Sequence, residues 1–266
     1  MPRLQRRTLL LFALALSVGL CVPLGARAET PSHIATAVDD DARWQRDRQR
    51  DAYDEPAAIL AFAGVQPGMR VLDLFTGGGY WAELFARAVG SAGSVVAHTN
   101  TAYRNFAGRL LDARFDGGRV PGVTVHDAEI NDLGLGEARF DLIFIGLGYH
   151  DLYFFADFSP LPGREWFFGQ VMRALKPGGS VVIVDHAAMA RSGAIAAQQL
   201  HRIDEDYAIA DWQRAGFELA ARSDVLRNPD DDRSLNVFED AIRHRTDRFV
   251  LRFVRPASVL PHEQDR

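Results

Sequence analysis

Stretches of strand character at about 69–75, 94–98, 122–126, 140–147, 179–185, 217–225 and 247–254 alternate with helical stretches at about 79–90, 102–114, 163–175 and 194–214. A chain that keeps changing period in this way lays its strands side by side by crossing over through helices, which gives a parallel sheet covered on both faces. The runs FDLIFIG at 140–146 and VVIVD at 181–185 are apolar with almost no interruption, as strands buried on both faces are. The expected fold is therefore α/β, a doubly wound, mostly parallel sheet of seven strands. Ahead of it, Ala42 to Ala63 reads as helical, first charged and then apolar, with Pro56 suited to a first turn and Gly64 to a stop. This forms an N-terminal helical extension of a single domain, 42–266. The polar segment 29–41, ETPSHIATAVDDD, is expected to be a flexible leader.

The first 28 residues read as something else. Arg3, Arg6 and Arg7 precede an apolar stretch from about Thr8 to Leu20, followed by Pro23, Gly25 and the A-x-A pattern Ala26-Arg27-Ala28. That order is the pattern of a secretory signal peptide, and the apolar core is shorter than the roughly 20 residues a spanning helix needs. The expectation is an exported, periplasmic protein with no stable membrane insertion after cleavage. Arg6-Arg7 also faintly resembles a twin-arginine signal, which leaves the export route open between the two. Cleavage would remove Arg3, Arg6, Arg7 and Arg27 and leave a chain more acidic than the −5 of the whole, a poor match to nucleic acid. It would also remove Cys21, the one cysteine, and with it disulfides, thiol nucleophiles and thiolate metal sites.

LDLFTGGGYW, from Leu72 to Trp81, holds the strongest local signal: a strand, three glycines and then a helix. In open sheets of this class ligands sit beyond the carboxyl ends of the strands, where strand order reverses. Glycine there permits positive φ and close approach of backbone N–H groups, and the helix N-terminus suits an anion. The loop alone leaves alternatives open. Gly77-x-Gly79-x-x-Ala82 fits a dinucleotide fingerprint, yet Thr99 and Asn100 stand where such a site wants an acid, about 20 residues on. A tight turn with no ligand is the third reading.

Four elements in order narrow this: VLDLFTGGGYW, VTVHDAE, FDLIFIGLGYHD and ALKPGGSVVIVD. The series resembles the class I S-adenosylmethionine-dependent methyltransferases. RDAYDEPAAILAFAGVQPGM, LHRIDE, SDVLRNPDDD and RTDRFVLRF extend the likeness to an exported bacterial branch over nearly the whole mature chain. The resemblance implies a Rossmann-like fold and S-adenosylmethionine as cofactor. It places Gly77, Gly78 and Gly79 along the methionine part, Asp73 as organiser of the loop and of the amino group, Thr99 and Asn100 at the ribose, and Asp127 and Ala128 beside the adenine. Phe75 stands in the place of the family's first glycine and narrows the loop. Thr99 or Asn100 replaces the acid that grips the ribose, which exchanges a charge-assisted bond of roughly 1.5–3 kcal/mol for a neutral one of about half that.

Methyl transfer is an in-line attack on a carbon that the sulfonium already activates, so the protein aligns the acceptor and excludes water, with a base only where the acceptor carries a proton. Tyr149-His150-Asp151 follows the fourth strand at its carboxyl end. His150 is the preferred base or orienter, with Tyr149 as a wall and Asp151 beside it; a helix-capping role for His150 is the competing reading. His186, His201 and Arg202 are candidate contacts to a small-molecule substrate. His150, Asp185, His186, His201 and Asp204 form a metal-competent set, but their spacing matches no strong metal motif, so a hydrogen-bonded network is expected and no metal is assigned. The competing functional reading is an exported, non-catalytic binder of a small ligand on the same fold.

Overall fold

The structure is a computed structural model, and it describes residues 29–154 and 164–257. The export signal read at 1–28 lies outside the described residues. Among the described residues no helix is long and apolar enough to cross a membrane.

The sheet has seven strands: β1 Arg70–Leu74, β2 Ser94–Thr99, β3 Val123–Asp127, β4 Phe140–Gly146, β5 Leu175–His186, β6 Glu218–Ser223 and β7 Arg248–Val254. Their order is β3-β2-β1-β4-β5-β7-β6; β7 runs antiparallel to both its neighbours and the other pairings are parallel. The order reverses between β1 and β4, and that gap is where an open sheet of this kind holds its ligand. Alternation along the strands splits the core. Leu72, Ile143, Ile183 and Leu251 pack with Val171, Trp212 and Phe217 on one face; Val71, Leu142, Val182 and Val250 pack with Ile59 and Leu84 on the other.

The first face is covered by α6 Arg164–Ala174 and α8 Glu205–Arg214, and the second by α1 Ser32–Val38, α3 Pro56–Ala63 and α4 Tyr80–Val89. Helix α2, Gln45–Asp54, ends at Glu55 in the left-handed conformation (φ 45°), and Pro56 starts α3, which Gly64 closes at φ 71°. Helix α5, Thr101–Phe115, is capped by the Asn100 side chain, which accepts from the Tyr103 N–H.

Three sequence expectations need correction. The leader is ordered at 32–38: Ile34 and Ala37, its two buried side chains, pack against α4 and fix a helix there. The helix expected over 194–214 is two, α7 Ala197–Leu200 and α8. Between them the backbone of 201–203 runs beside the end of β5, with Ile203 bridged to Ala187, and Asp204 caps α8 by accepting from the Asp206 N–H. The strand expected over 179–185 begins earlier, at Leu175, so Lys176, Pro177 and the two glycines belong to β5, whose register against β4 shifts between Phe140 and Leu142, with Gly178 at φ 77°.

Candidate active site

A cavity of about 750 Å³ opens at the β1/β4 gap. Phe75, Thr76, Gly77 and Gly78 line one end, and His150, Asp151, His186 and His201 the other. Tyr103, Phe106, Ile130 and Trp81 supply apolar and aromatic walls between them.

The glycine loop is held from behind. Thr76 Oγ1 donates to Asp73 Oδ2 at 2.6 Å, and burial pushes the Asp73 carboxyl up to about 7, against the hydrogen bonds from Thr76 and the Ala82 backbone. The Arg114 guanidinium donates to the Gly78 carbonyl and to Asp47 and Glu83, so the N-terminal helices brace this loop. Phe75 takes the conformation a glycine would take, φ 57°, and its ring packs against Tyr103 (5.3 Å), His98 (5.4 Å) and Phe167 (6.3 Å between centroids). The substituted glycine position is thus accommodated by an aromatic cluster, at about 1–2 kcal/mol of backbone strain. Gly77 at φ 56° would carry a Cβ into open space at the cavity, whereas a Cβ on Gly79 would stand 2.6 Å from the Phe115 ring.

At the far end the short helical turn His150–Tyr153 presents its first two side chains to the cavity. Asp185, at the end of β5, takes both the His150 backbone N–H (2.7 Å) and the ring nitrogen Nδ1 (2.8 Å). Burial lowers the His150 pKa, but the charge and hydrogen bond of Asp185, with Asp151, outweigh it and raise it. Burial holds His186 well below the usual histidine range, reinforced by His150 and by Arg248 and Arg202; its Nδ1 meets Thr246 Oγ1 at 2.7 Å. Tyr103 Oη donates to Asp151 Oδ2 at 2.6 Å. His201, in the left-handed conformation at φ 52°, stacks on Phe154 and stands edge-on to His150 at 5.4 Å.

The structure therefore brings His150, Asp151, His186 and His201 to one end and Phe75, Gly77, Gly78 and Asn100 to the other. Other expected contacts are not made. Tyr149 is fully buried and donates to Asp211 (2.8 Å), so it is a core residue rather than a wall. Arg202 is buried against Asp231 and donates to the Leu235 and Ala187 carbonyls, which leaves it no substrate contact. Asp127 pairs with Arg104 at the surface, and Ala128 and Thr99 meet through a backbone bond; none of the three lines the cavity. Asp73 and Gly79 act behind the loop. Tyr103, Phe154, Phe238 and Arg50 line the cavity without having been expected, and no local pattern marks them. His98 was also missed: its Nε2 donates to the Ala128 carbonyl (3.0 Å), which leaves Nδ1 to accept from the Phe75 N–H (3.4 Å).

No protein-family model matches the sequence. The ubiquinone/menaquinone biosynthesis C-methyltransferase UbiE of Laribacter hongkongensis is 29% identical over 126 residues, 47% of this chain and 46% of that protein. The chain thus spans about half the length of that protein. Among solved structures, a SAM-dependent methyltransferase from Aquifex aeolicus superposes with a TM-score of 0.53 at 18% identity, covering 80% of this chain and 99% of that one. The [4+2]-cyclase SpnF superposes with a TM-score of 0.55 at 17% identity, covering 83% and 86%. The fold is that of the S-adenosylmethionine-dependent methyltransferases, and the cyclase shows that this fold also carries other chemistry.

Proposed function

We propose that this chain is a class I S-adenosylmethionine-dependent methyltransferase acting on a small-molecule acceptor. The observation that carries the proposal is the cleft at the strand-order reversal, with the glycine loop at one end and an ionisable cluster at the other. Gly77 and Gly78, with open space at Gly77, would take the methionine part of the cofactor, and the Phe106–Ile130 side its base. When bound, the cofactor supplies an activated methyl carbon. The chain's own task is to aim the acceptor at it and keep water out. His150, clamped by Asp185 at two points, orients an acceptor oxygen at this end of the cleft. The relatives named as methyltransferases support the activity; nothing in the comparisons supports the non-catalytic alternative.

The proposal includes export. The segment Met1 to Ala28 reads as a signal, so the protein would act outside the cytoplasm, as a branch of the superfamily set apart from its cytoplasmic supply of cofactor. Fractionation of cells producing the full chain, with the mature N-terminus read by mass spectrometry, checks this: a product beginning at Met1 in the cytoplasm overturns it.

Thermal unfolding with S-adenosylmethionine, S-adenosylhomocysteine or NAD tests the cofactor. A site at a hundredfold excess over Kd adds about 2.7 kcal/mol, a rise of roughly 5–10 °C. Stabilisation by both adenosyl compounds and not by NAD is expected; stabilisation by none sinks the reading. His150→Ala should keep cofactor binding while turnover falls about a hundredfold or more.

A further inference from the structure

Three electron-pair donors meet at the inner end of the cleft. Asp185 accepts the Nδ1 proton of His150, so Nε2 of the neutral ring carries a lone pair. That atom stands 3.3 Å from Asp151 Oδ1, and the same oxygen stands 3.8 Å from His201 Nδ1. All three atoms lie within 4.8 Å of one another. Tyr103 donates to the other carboxylate oxygen, Oδ2, which holds Oδ1 toward both rings. Lone pairs gathered in this way repel unless a positive centre stands between them. One proton joins two of the three; a divalent ion joins all of them.

The spacing fits such an ion. With bonds of about 2.0–2.2 Å, neighbouring ligands of a tetrahedral metal stand about 3.3–3.6 Å apart; Asp151 Oδ1 is 3.3 Å from His150 Nε2 and 3.8 Å from His201 Nδ1, the second a few tenths of an ångström wide of that range. Asp185 behind His150 completes the carboxylate–histidine arrangement that fixes a ligand ring in its metal-binding tautomer. The backbone adds a separate observation. Helix α7 stops at His201, which adopts φ 52° and is pinned between Phe154 and Phe238, and it is this break that brings its ring to the cluster.

We propose that His150 Nε2, Asp151 Oδ1 and His201 Nδ1 form a binding site for one divalent transition-metal ion of the zinc class. Two imidazoles exclude magnesium and calcium as the preferred ions, since those take oxygen ligands. Three protein ligands leave a fourth position open to the cavity. Where the methyltransferase reading also holds, that position takes the acceptor's oxygen and lowers its pKa, which makes hydroxylated small molecules the acceptor class. Metal binding itself does not depend on that reading. His150 and His201 stood in the metal-competent set read from the residues, but Asp151 did not, and the spacing matched no motif because the ligands come from two turns 50 residues apart.

The test is titration of the purified protein, stripped by chelator and carrying no polyhistidine tag, with Co²⁺ and then Zn²⁺. One equivalent of Co²⁺ per chain is expected, with visible absorption that Zn²⁺ abolishes by displacement. His150→Ala and His201→Gln should each weaken binding about a hundredfold, and Asp185→Asn about 10–100-fold. His244→Ala, at a ring stacked on Tyr53 in a surface loop, should leave it unchanged. Circular dichroism confirms that each variant is folded; should His150→Ala not fold, His201→Gln, at a partly exposed ring, decides. Folded wild-type protein that takes up no stoichiometric metal overturns the proposal, as does uptake that His201→Gln leaves unchanged. The adenosyl thermal shift on the same preparation reports separately on the cofactor, so the two readings fail independently.

Discussion

The two ends of the cleft are built on opposite plans. The loop end is local in sequence: Asp73, Phe75, Thr76, Gly77 and Gly79 lie within seven residues, shaped by glycine geometry and the Thr76–Asp73 bond and braced from behind by Arg114 and the rings around Phe75. The histidine end is assembled from distant parts: His150 and Asp151 after β4, Asp185 at the end of β5, His201 from a broken helix and Tyr103 from α5. The first end therefore fails by strain within a short segment. The second fails when any of the elements that carry it shifts.

The sharpest way to break the histidine end is at Arg202, beside His201. Its guanidinium pairs with Asp231, whose side chain is 1% exposed, and donates to two carbonyls that would otherwise lose a partner. Arg202→Met leaves that buried carboxylate without a compensating charge, which costs about 3–5 kcal/mol. The unfolding midpoint should fall by roughly 10 °C or more, read by calorimetry. A variant with unchanged stability but a raised KM would instead restore Arg202 as a substrate contact.

This contrast also explains what could be read in advance. The alternation of periods gave the sheet, and the glycine run gave the loop, because both are short-range properties of the chain. His150 and His201 were legible as candidates by their position after strands, but not as neighbours. Tyr149 and Arg202 misled for the same reason: flanking a functional histidine says nothing about which side of the backbone a side chain leaves from. Tyr149 goes to Asp211 and Arg202 to Asp231, each more than 25 residues away. The leader at 32–38 was missed because its two buried apolar residues leave too short a pattern to outweigh its polar composition.

The loop end can be loosened by acid through His98. Burial pushes its pKa down to about 4, aided by the neighbouring His126 against the Ala128 carbonyl bond and the charges of Glu129 and Asp127. Between that value and about 6.5 the unfolded chain holds a proton that the native ring does not, so stability rises with pH there and is lost as pH falls through the window. The full loss is about 3 kcal/mol by pH 4. Protonated Nδ1 would also face the Phe75 N–H, donor against donor. His186 contributes in the same direction, so the measurement is a difference: His98→Gln should show a shallower dependence of stability on pH than the wild type between pH 4 and 6.5. Equal slopes would mean that His98 is not held neutral.

The smallest effects separate folding from binding within the loop itself. Gly79 has φ 80°, and a Cβ there would meet the Phe115 ring at 2.6 Å and Arg114 Cδ at 2.9 Å. Arg114 cannot yield, since it holds Asp47, Glu83 and the Gly78 carbonyl at once. Gly79→Ala should therefore cost about 2–3 kcal/mol in denaturant unfolding, strain and crowding together. Gly77 has φ 56° and no atom within 4 Å of a would-be Cβ, so Gly77→Ala should cost only about 1–2 kcal/mol. Its methyl would stand in the space that the cofactor's methionine part needs. Calorimetric titration with S-adenosylhomocysteine should thus find affinity lowered at least about tenfold in folded Gly77→Ala, a larger loss than the stability change predicts. If Gly77→Ala binds as tightly as wild type, the open space beside Gly77 is not where the ligand lies, and the cofactor end of the cleft has to be sought nearer Tyr103 and Ile130, which line the same cavity.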